Sequence, residues 1–304
     1  MFRGIVLKIL STLAFMGMAT LVKLISDRYP VGEIVFARSL FALIPVAVWA
    51  VATGGLFSVF LTGRPAAHLW RSLVGVGAMF LGFAALARLP LTDATAISFT
   101  APLITVALAA LILGERVRIY RWSAVVVGLI GVLVIISDYI GPDIGPQRSA
   151  LGAGLQLAAA AGVALVAIQL RHMTKTEGAA TIVVYFSIFS ALVSLATLPF
   201  GWVMPIPMDA GLLIAIGILG GVGQVLMTES FRHADASLLA PFDYTSLVWA
   251  LALSFLVFGT LPTQTMLIGA AVVIAAGLFV VYRERQLRLG PRRGGEIPPA
   301  MPAS

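Results

Sequence analysis

Two short stretches decide how the rest of the chain is read: Leu91-Thr-Asp-Ala-Thr-Ala-Ile-Ser-Phe-Thr-Ala-Pro102 and His233-Ala-Asp-Ala-Ser-Leu-Leu-Ala-Pro241. Asp93-Ala-Thr95 in the first is matched by Asp235-Ala-Ser237 in the second, and each copy runs on to an Ala-Pro pair inside an apolar segment. Farther on, Leu113-Gly-Glu115 is echoed by Phe258-Gly-Thr260, and one more apolar run follows each. The chain therefore reads as two copies of one unit. If each unit crosses a bilayer an odd number of times, the second copy lies upside down relative to the first. That inverted plan recurs in secondary transporters, with the solute held near the midplane between the halves.

Composition supplies the bilayer. Of 304 residues, 60% are apolar, 11% are charged and none is Cys, against about 45–50% apolar and about 25% charged in soluble domains. About 20 apolar residues cross the hydrocarbon core as a helix. Apolar runs fall at 4–25, 33–52, 67–88, 93–113, 122–137, 149–170, 180–199, 209–231, 236–258 and 264–282. The expected fold is an all-α integral membrane protein of ten transmembrane helices, arranged as two inverted five-helix repeats over 1–141 and 142–282. The stretch 283–304, with Gly290-Pro-Arg-Arg293 and Pro298-Pro299, reads as a disordered basic cytoplasmic tail. The first run carries Lys23 and no obvious cleavage site, so it reads as a retained span and not a leader.

The formal charge of +7 gathers in short clusters at the ends of apolar runs, the pattern of orientation signals and not of nucleic-acid binding. With the N-terminus inside, the inner face collects Arg3, Lys8, Arg64, Arg71, Arg116, Arg118, Arg121, Arg171, Lys175, Arg232 and the tail arginines. The outer half keeps Lys23, Arg28, Arg38, Arg88 and Arg148. Both termini are then cytoplasmic. Little chain remains for a soluble catalytic or nucleotide-binding domain. His68, His172 and His233 lie alone near span ends without metal-ligand spacing, and no zinc-protease, nucleophile-elbow or phosphate-loop motif occurs. No catalytic residue, metal or cofactor is expected. The expected partners are a small-molecule substrate and the lipid bilayer, and a homodimer stays open.

The residues Phe36-Ala-Arg-Ser39, Asp93-Ala-Thr-Ala96 with Ala101-Pro102, Leu113-Gly-Glu115 with Trp122, and then Asp235-Ala-Ser237, Ala240-Pro241 and Phe258-Gly259 together resemble the drug/metabolite transporter superfamily, specifically its ten-span EamA-type carriers. The likeness covers about 4–282. It implies a carrier working without ATP in a bacterial inner membrane. It also implies a central cavity lined by spans one, three, four, six, eight and nine, opened alternately as span pairs rock. The stretch Ala240-Pro-Phe-Asp-Tyr244 looks similar to the uptake branches for riboflavin and S-adenosylmethionine. Riboflavin uptake is the leading expectation for cargo, with S-adenosylmethionine or an amino acid as the alternative within the family. A channel or structural membrane subunit is the alternative from another class. Thr260 stands where the first repeat has Glu115, which puts in doubt any role needing that carboxylate in both halves.

An ionised group at membrane depth is costly and normally works in the bundle interior. Asp243 is the clearest case, two residues after Pro241, which frees a backbone carbonyl one turn back. Pro102 plays the corresponding part in span four, near Ser98, Thr100 and Thr105. Asp243 either binds cargo or a proton, or forms a packing ion pair, with Arg38 as the candidate partner. Arg38 could instead snorkel outward. Lys23 ends a helical stripe Thr12–Met16–Ala19–Lys23, the expected cavity face of span one, although it too could snorkel. Gly217, Gly221, Gln224 and Thr228 share a face of span eight that serves either helix contact or cavity lining. Glu229 is a second proton-carrier candidate, and Glu115 reads as a solvated rim residue. Phe99 and Tyr244 flank the Pro-interrupted stretches, where a flat ring could stack.

Overall fold

The computed structural model describes residues 2–52, 55, 60–113, 118–139, 149–173, 176–234 and 236–289. Glu115, Asp235, the repeat boundary at 141/142 and the tail beyond Leu289 lie outside the described residues. Ten spans follow in order: α1 (Phe2–Ile25), α2 (Val31–Ala52), α3 (Pro65–Leu86), α4 in two pieces (Leu91–Ser98 and Thr100–Leu113), α5 (Ile119–Ser137), α6 (Ala150–Met173), α7 (Ala179–Leu195), α8 (Pro207–His233), α9 and α10 (Gln264–Leu289). Span α9 starts as a turn, Ala236–Leu239, tightens to a 3-10 stretch, Ala240–Tyr244, and continues as Thr245–Phe258. Among the described residues there is no strand. Nine of the spans are long and apolar enough to cross a bilayer. The other, α7, has 17 residues, about 26 Å at 1.5 Å per residue and just enough for the core.

The packing partners carry the internal symmetry. Span α1 lies along α8 and, exchanging the halves, α6 lies along α3; α2 packs on α7, α4 on α9 and α5 on α10, each on its own counterpart. Such pairing arises when two five-helix units of opposite orientation are related by a two-fold axis in the membrane plane. The outward surface carries large apolar side chains such as Val126, Ile130, Leu133, Leu192 and Leu256, as a lipid-facing surface requires. The interior is rich in alanine, because helices in lipid associate by close packing and not by hiding apolar area from water.

Two seams show how close that packing is. A Cβ on Gly269 of α10 would lie 2.5 Å from the Gly131 carbonyl oxygen of α5. A Cβ on Gly221 of α8 would lie 2.7 Å from the Ala42 carbonyl oxygen and would collide with the ring of Pro45 on α2. Pro45 sits inside an unbroken α2, so the small residue opposite accommodates the ring.

The two prolines of the repeat do interrupt their helices. Span α4 breaks at Phe99, three residues before Pro102, where the missing N–H leaves a carbonyl without its helical donor. Local hydroxyls hold the break: Ser98 Oγ donates to the Thr95 carbonyl (2.6 Å) and Thr100 Oγ1 to that of Ile97 (2.7 Å). In α9 the tight 3-10 stretch includes Pro241 and Asp243. The two breaks meet, since Phe99 and Tyr244 stand edge to face with centroids 4.9 Å apart.

Polar latches tie the loop ends. Arg28 donates through Nη1 to both oxygens of buried Asp209 (2.9 and 2.7 Å), and the Tyr29 hydroxyl adds a third bond. Buried Asp93, the acid of the repeated Asp-Ala-Thr stretch, accepts from the Thr92 hydroxyl (2.9 Å) and from Tyr139. That acid serves to fix the start of α4 against the end of α5. One expected boundary is corrected: the stretch assigned to a disordered tail from 283 begins as helix, because α10 continues to Leu289. An Arg283–Gln286 hydrogen bond of 2.9 Å links side chains within that last part.

Candidate substrate cleft and buried charges

A cleft of about 190 Å³ opens between α1, α3, α4 and α6, drawing on both halves. Its walls include Met16, Met79, Phe83, Thr95, Ser98 and Gln156. The Thr95 hydroxyl is held by the Leu91 carbonyl (2.7 Å) and sits 3.6 Å from Met16 Sδ. Gln156 Oε1, by contrast, is buried without a hydrogen-bond partner, an acceptor available to a ligand. Pockets for drug-sized ligands measure about 300–1,000 Å³, so this conformation is a narrow one and a metabolite requires the walls to move apart. Four of the six spans expected to line a cavity, α1, α3, α4 and α6, do so here.

Asp243 is paired, and not with Arg38. Lys8 Nζ of α1 lies 2.6 Å from Asp243 Oδ1, with the lysine side chain 5% exposed and the aspartate 52%. The ammonium also stands 5.3 Å from the Phe231 ring centroid. One turn along α1, Thr12 meets Thr245 Oγ1 (2.9 Å) and accepts from Trp249 Nε1 (3.3 Å). Ser11 Oγ donates to the Gly223 carbonyl (3.0 Å). These contacts join α1 to the broken part of α9 and to α8. Lys8, Thr12, Met16, Ala19 and Lys23 form one helical stripe, and its middle members Met16 and Ala19 do face the cleft.

Sequence reasoning counted Lys8 as an orientation charge and passed over it as a site. The available signal was depth: six residues into α1, it sits about 9 Å from the helix end at 1.5 Å per residue. Arg71, also counted for orientation, is buried in α3 at 6% exposure. Gln156 gave no signal beyond a lone amide in an apolar run.

The other candidates are dispersed. Lys23 neither faces the cleft nor snorkels; its Nζ donates to the carbonyls of Leu86 (3.2 Å) and Leu89 (2.6 Å), closing the C-terminal end of α3. Glu229 accepts from Trp49 Nε1 (2.9 Å) and Arg232 Nη1 (2.7 Å), so it is held in a rim network. The Thr100 hydroxyl is spent on its own helix. Arg38 is 7% exposed and so does not snorkel; it lies beside Gln224 between α2, α7 and α8. His68 is not alone, since its Nε2 is 3.4 Å from Glu177 Oε2. Burial of the Glu177 carboxyl opposes its ionised form, but the Thr62 hydrogen bond (2.9 Å) and the nearby His68 ring outweigh this and hold it below the usual carboxylate range. Among the described residues no cluster of His, Asp and Glu has the makings of a metal site.

Ten spans in inverted halves, with a cleft between the halves and ionised groups buried at depth, define a multi-pass membrane transporter. The chain belongs to the EamA-like transporter family, whose pattern matches it twice, over residues 2–137 and 150–283. It is 29% identical over 264 residues to the S-adenosylmethionine uptake transporter of Rickettsia prowazekii (strain Madrid E), covering 87% of each chain. It is also 29% identical over 275 residues to the pseudopaline exporter of Pseudomonas aeruginosa (strain UCBPP-PA14), covering 90% of this chain and 94% of the other. A solved crystal structure, 21% identical, superposes with a TM-score of 0.62 over 94% of this chain and 96% of that one, which shows the same fold.

Proposed function

We propose that the protein is a secondary carrier that brings S-adenosylmethionine into the cell. The observation that carries this reading is the cleft shared by the two halves, with the aromatic ring of Phe83, the thioethers of Met16 and Met79, and the unpartnered Gln156 amide oxygen. An adenine ring suits the first two features, and its exocyclic amino group suits the third. The end-to-end likeness to a transporter named for that cargo supports the choice. A flavin is the weaker cargo. Phe99 and Tyr244, the rings expected to stack on it, are packed edge to face on each other, and neither relative described above is named for riboflavin.

The test is uptake of labelled S-adenosylmethionine by proteoliposomes holding the purified protein. The expected flux saturates, is competed by unlabelled cargo and is unaffected by riboflavin. Competition by riboflavin alone would reverse the choice of cargo, and a linear, non-saturating flux would indicate a channel. We infer an inner-membrane location with both termini in the cytoplasm; the bias of Lys and Arg along the chain supports that orientation. A reporter enzyme fused after Ser304 is expected to be active only on the cytoplasmic side; a periplasmic signal would contradict that orientation.

A further inference from the structure

Spans α2, α3, α7 and α8 enclose two arginines that, among the described residues, no carboxylate neutralises. Arg38 of α2 and Arg71 of α3 are both more than nine-tenths buried. Their guanidinium carbons stand 5.7 and 4.1 Å from the centroid of the same ring, Phe186 of α7. Arg38 Nε and Arg71 Nε and Nη1 have no hydrogen-bond partner. Among the described residues, the ion pairs formed at depth and at the rims involve neither arginine. The seat is also shaped for them: a Cβ on Gly220 of α8 would lie 3.2 Å from Arg38 Nε, and one on Gly75 would lie 2.9 Å from Phe186 Cε2.

Two like charges buried against one ring repel each other, and burial costs each of them hydration. One aromatic face compensates only part of that loss. A packing role would be met better by apolar side chains, whereas a guanidinium fork is matched to a carboxylate, which it binds through two parallel hydrogen bonds. We propose that Arg38 and Arg71 form the binding site for the carboxylate of the cargo. The identity of the ligand rests on the S-adenosylmethionine reading, while the anion site itself rests on the two unpaired guanidinium groups. One face of α3 runs from this site to the cleft. Arg71, Gly75, Met79 and Gly82 follow one another along a single face of α3, and Met79 and Gly82 border the cleft. Met79 follows Arg71 by eight positions, about 12 Å of helix. S-adenosylmethionine carries its carboxylate and its adenine at opposite ends, so the amino-acid end reaches the arginines while the ring occupies the cleft.

The experiment compares S-adenosylmethionine with its decarboxylated form, which keeps the adenosine, the sulfonium and the amine. Binding is read by thermal unfolding of the purified protein, and uptake in proteoliposomes. The wild type is expected to prefer the carboxylate form by about 10–100-fold, the worth of a charge-assisted hydrogen bond or two. Arg71→Gln and Arg38→Gln are expected to erase the preference by weakening the carboxylate form alone. Arg71→Lys, which keeps the charge and loses the fork, is expected to retain only part of it and guards against a Gln variant that fails to fold. Equal binding of both forms by the wild type, or an unchanged preference in the Gln variants, overturns the site. If neither compound binds, the cargo reading fails on its own, and the anion site is judged without ligand. Arg71→Met is then expected to raise the unfolding midpoint, because it removes an uncompensated charge; a lowered midpoint would assign Arg71 to packing and overturn the proposal.

Discussion

Replacing Asp243 with Asn is expected to lower the initial rate of uptake at least about tenfold while the protein still reaches the membrane. The carboxylate is the partner of the Lys8 ammonium at 2.6 Å, and an amide cannot neutralise it. Removing one member of a fully buried pair typically costs about 3–5 kcal/mol, because the other charge is left without a partner. Here the aspartate side chain is half exposed, so screening reduces the expected loss of stability to about 1–3 kcal/mol. The transport defect is expected to be larger than that loss suggests. The pair ties α1 to the 3-10 part of α9, where the backbone is not locked by a regular helical ladder. Alternating access is expected to move α1 against α9 and to break this contact in each cycle. The control is the double variant Lys8→Met with Asp243→Leu, which removes both charges. Recovery of the unfolding temperature without recovery of uptake would locate the role in the transport cycle. Wild-type uptake by Asp243→Asn would reduce the pair to packing.

The largest structural effect is expected from Gly269→Leu. At this position a Cβ would approach the Gly131 carbonyl oxygen to 2.5 Å and the Ile135 backbone nitrogen to 3.1 Å. Those neighbours are backbone, which cannot swing aside like the end of a side chain. Added volume in a packed interior commonly costs about 1–3 kcal/mol, and more when only backbone can yield; a loss of at least about 3 kcal/mol is expected here. In detergent, the folded, monodisperse fraction should fall to a small part of the wild-type yield. Gly154→Leu is the matched control, since a Cβ there would meet nothing within 4 Å. Comparable losses in both variants would mean that α6 has a constraint this structure does not contain, and the α5–α10 seam would lose its special standing.

These two positions divide differently between sequence and structure. Asp243 was legible as a candidate, for cargo or a packing ion pair, because an acid inside an apolar run two residues after a proline is costly in hydrocarbon. Its partner was not legible, because an ion pair across 235 positions of chain is decided by which helices touch. The pairing of α1 with α9 follows from the two-fold arrangement of the halves and leaves no local trace. For the same reason Arg71 was counted among the charges that orient the chain. Six residues inside a span, a basic side chain can snorkel to water or be buried, and only the position of Phe186 on α7 distinguishes the two. The glycine seams belong to this group as well, since 30 glycines occur in the chain and only the packing shows which of them let two backbones meet.

The amino-acid sequence alone determined the medium, the number of crossings and the inverted doubling. Those depend on the length of apolar runs and on an internal repeat, and hydrocarbon permits almost nothing but a helix for a run of that length. What the tertiary structure decided was which buried charges meet and which are left unpaired. Lys8 is neutralised by Asp243, while Arg38 and Arg71 share one aromatic ring and, among the described residues, no carboxylate. Electrostatic energy in a low-dielectric interior depends steeply on separation and on partners, and separations between distant segments exist only once the helices are packed.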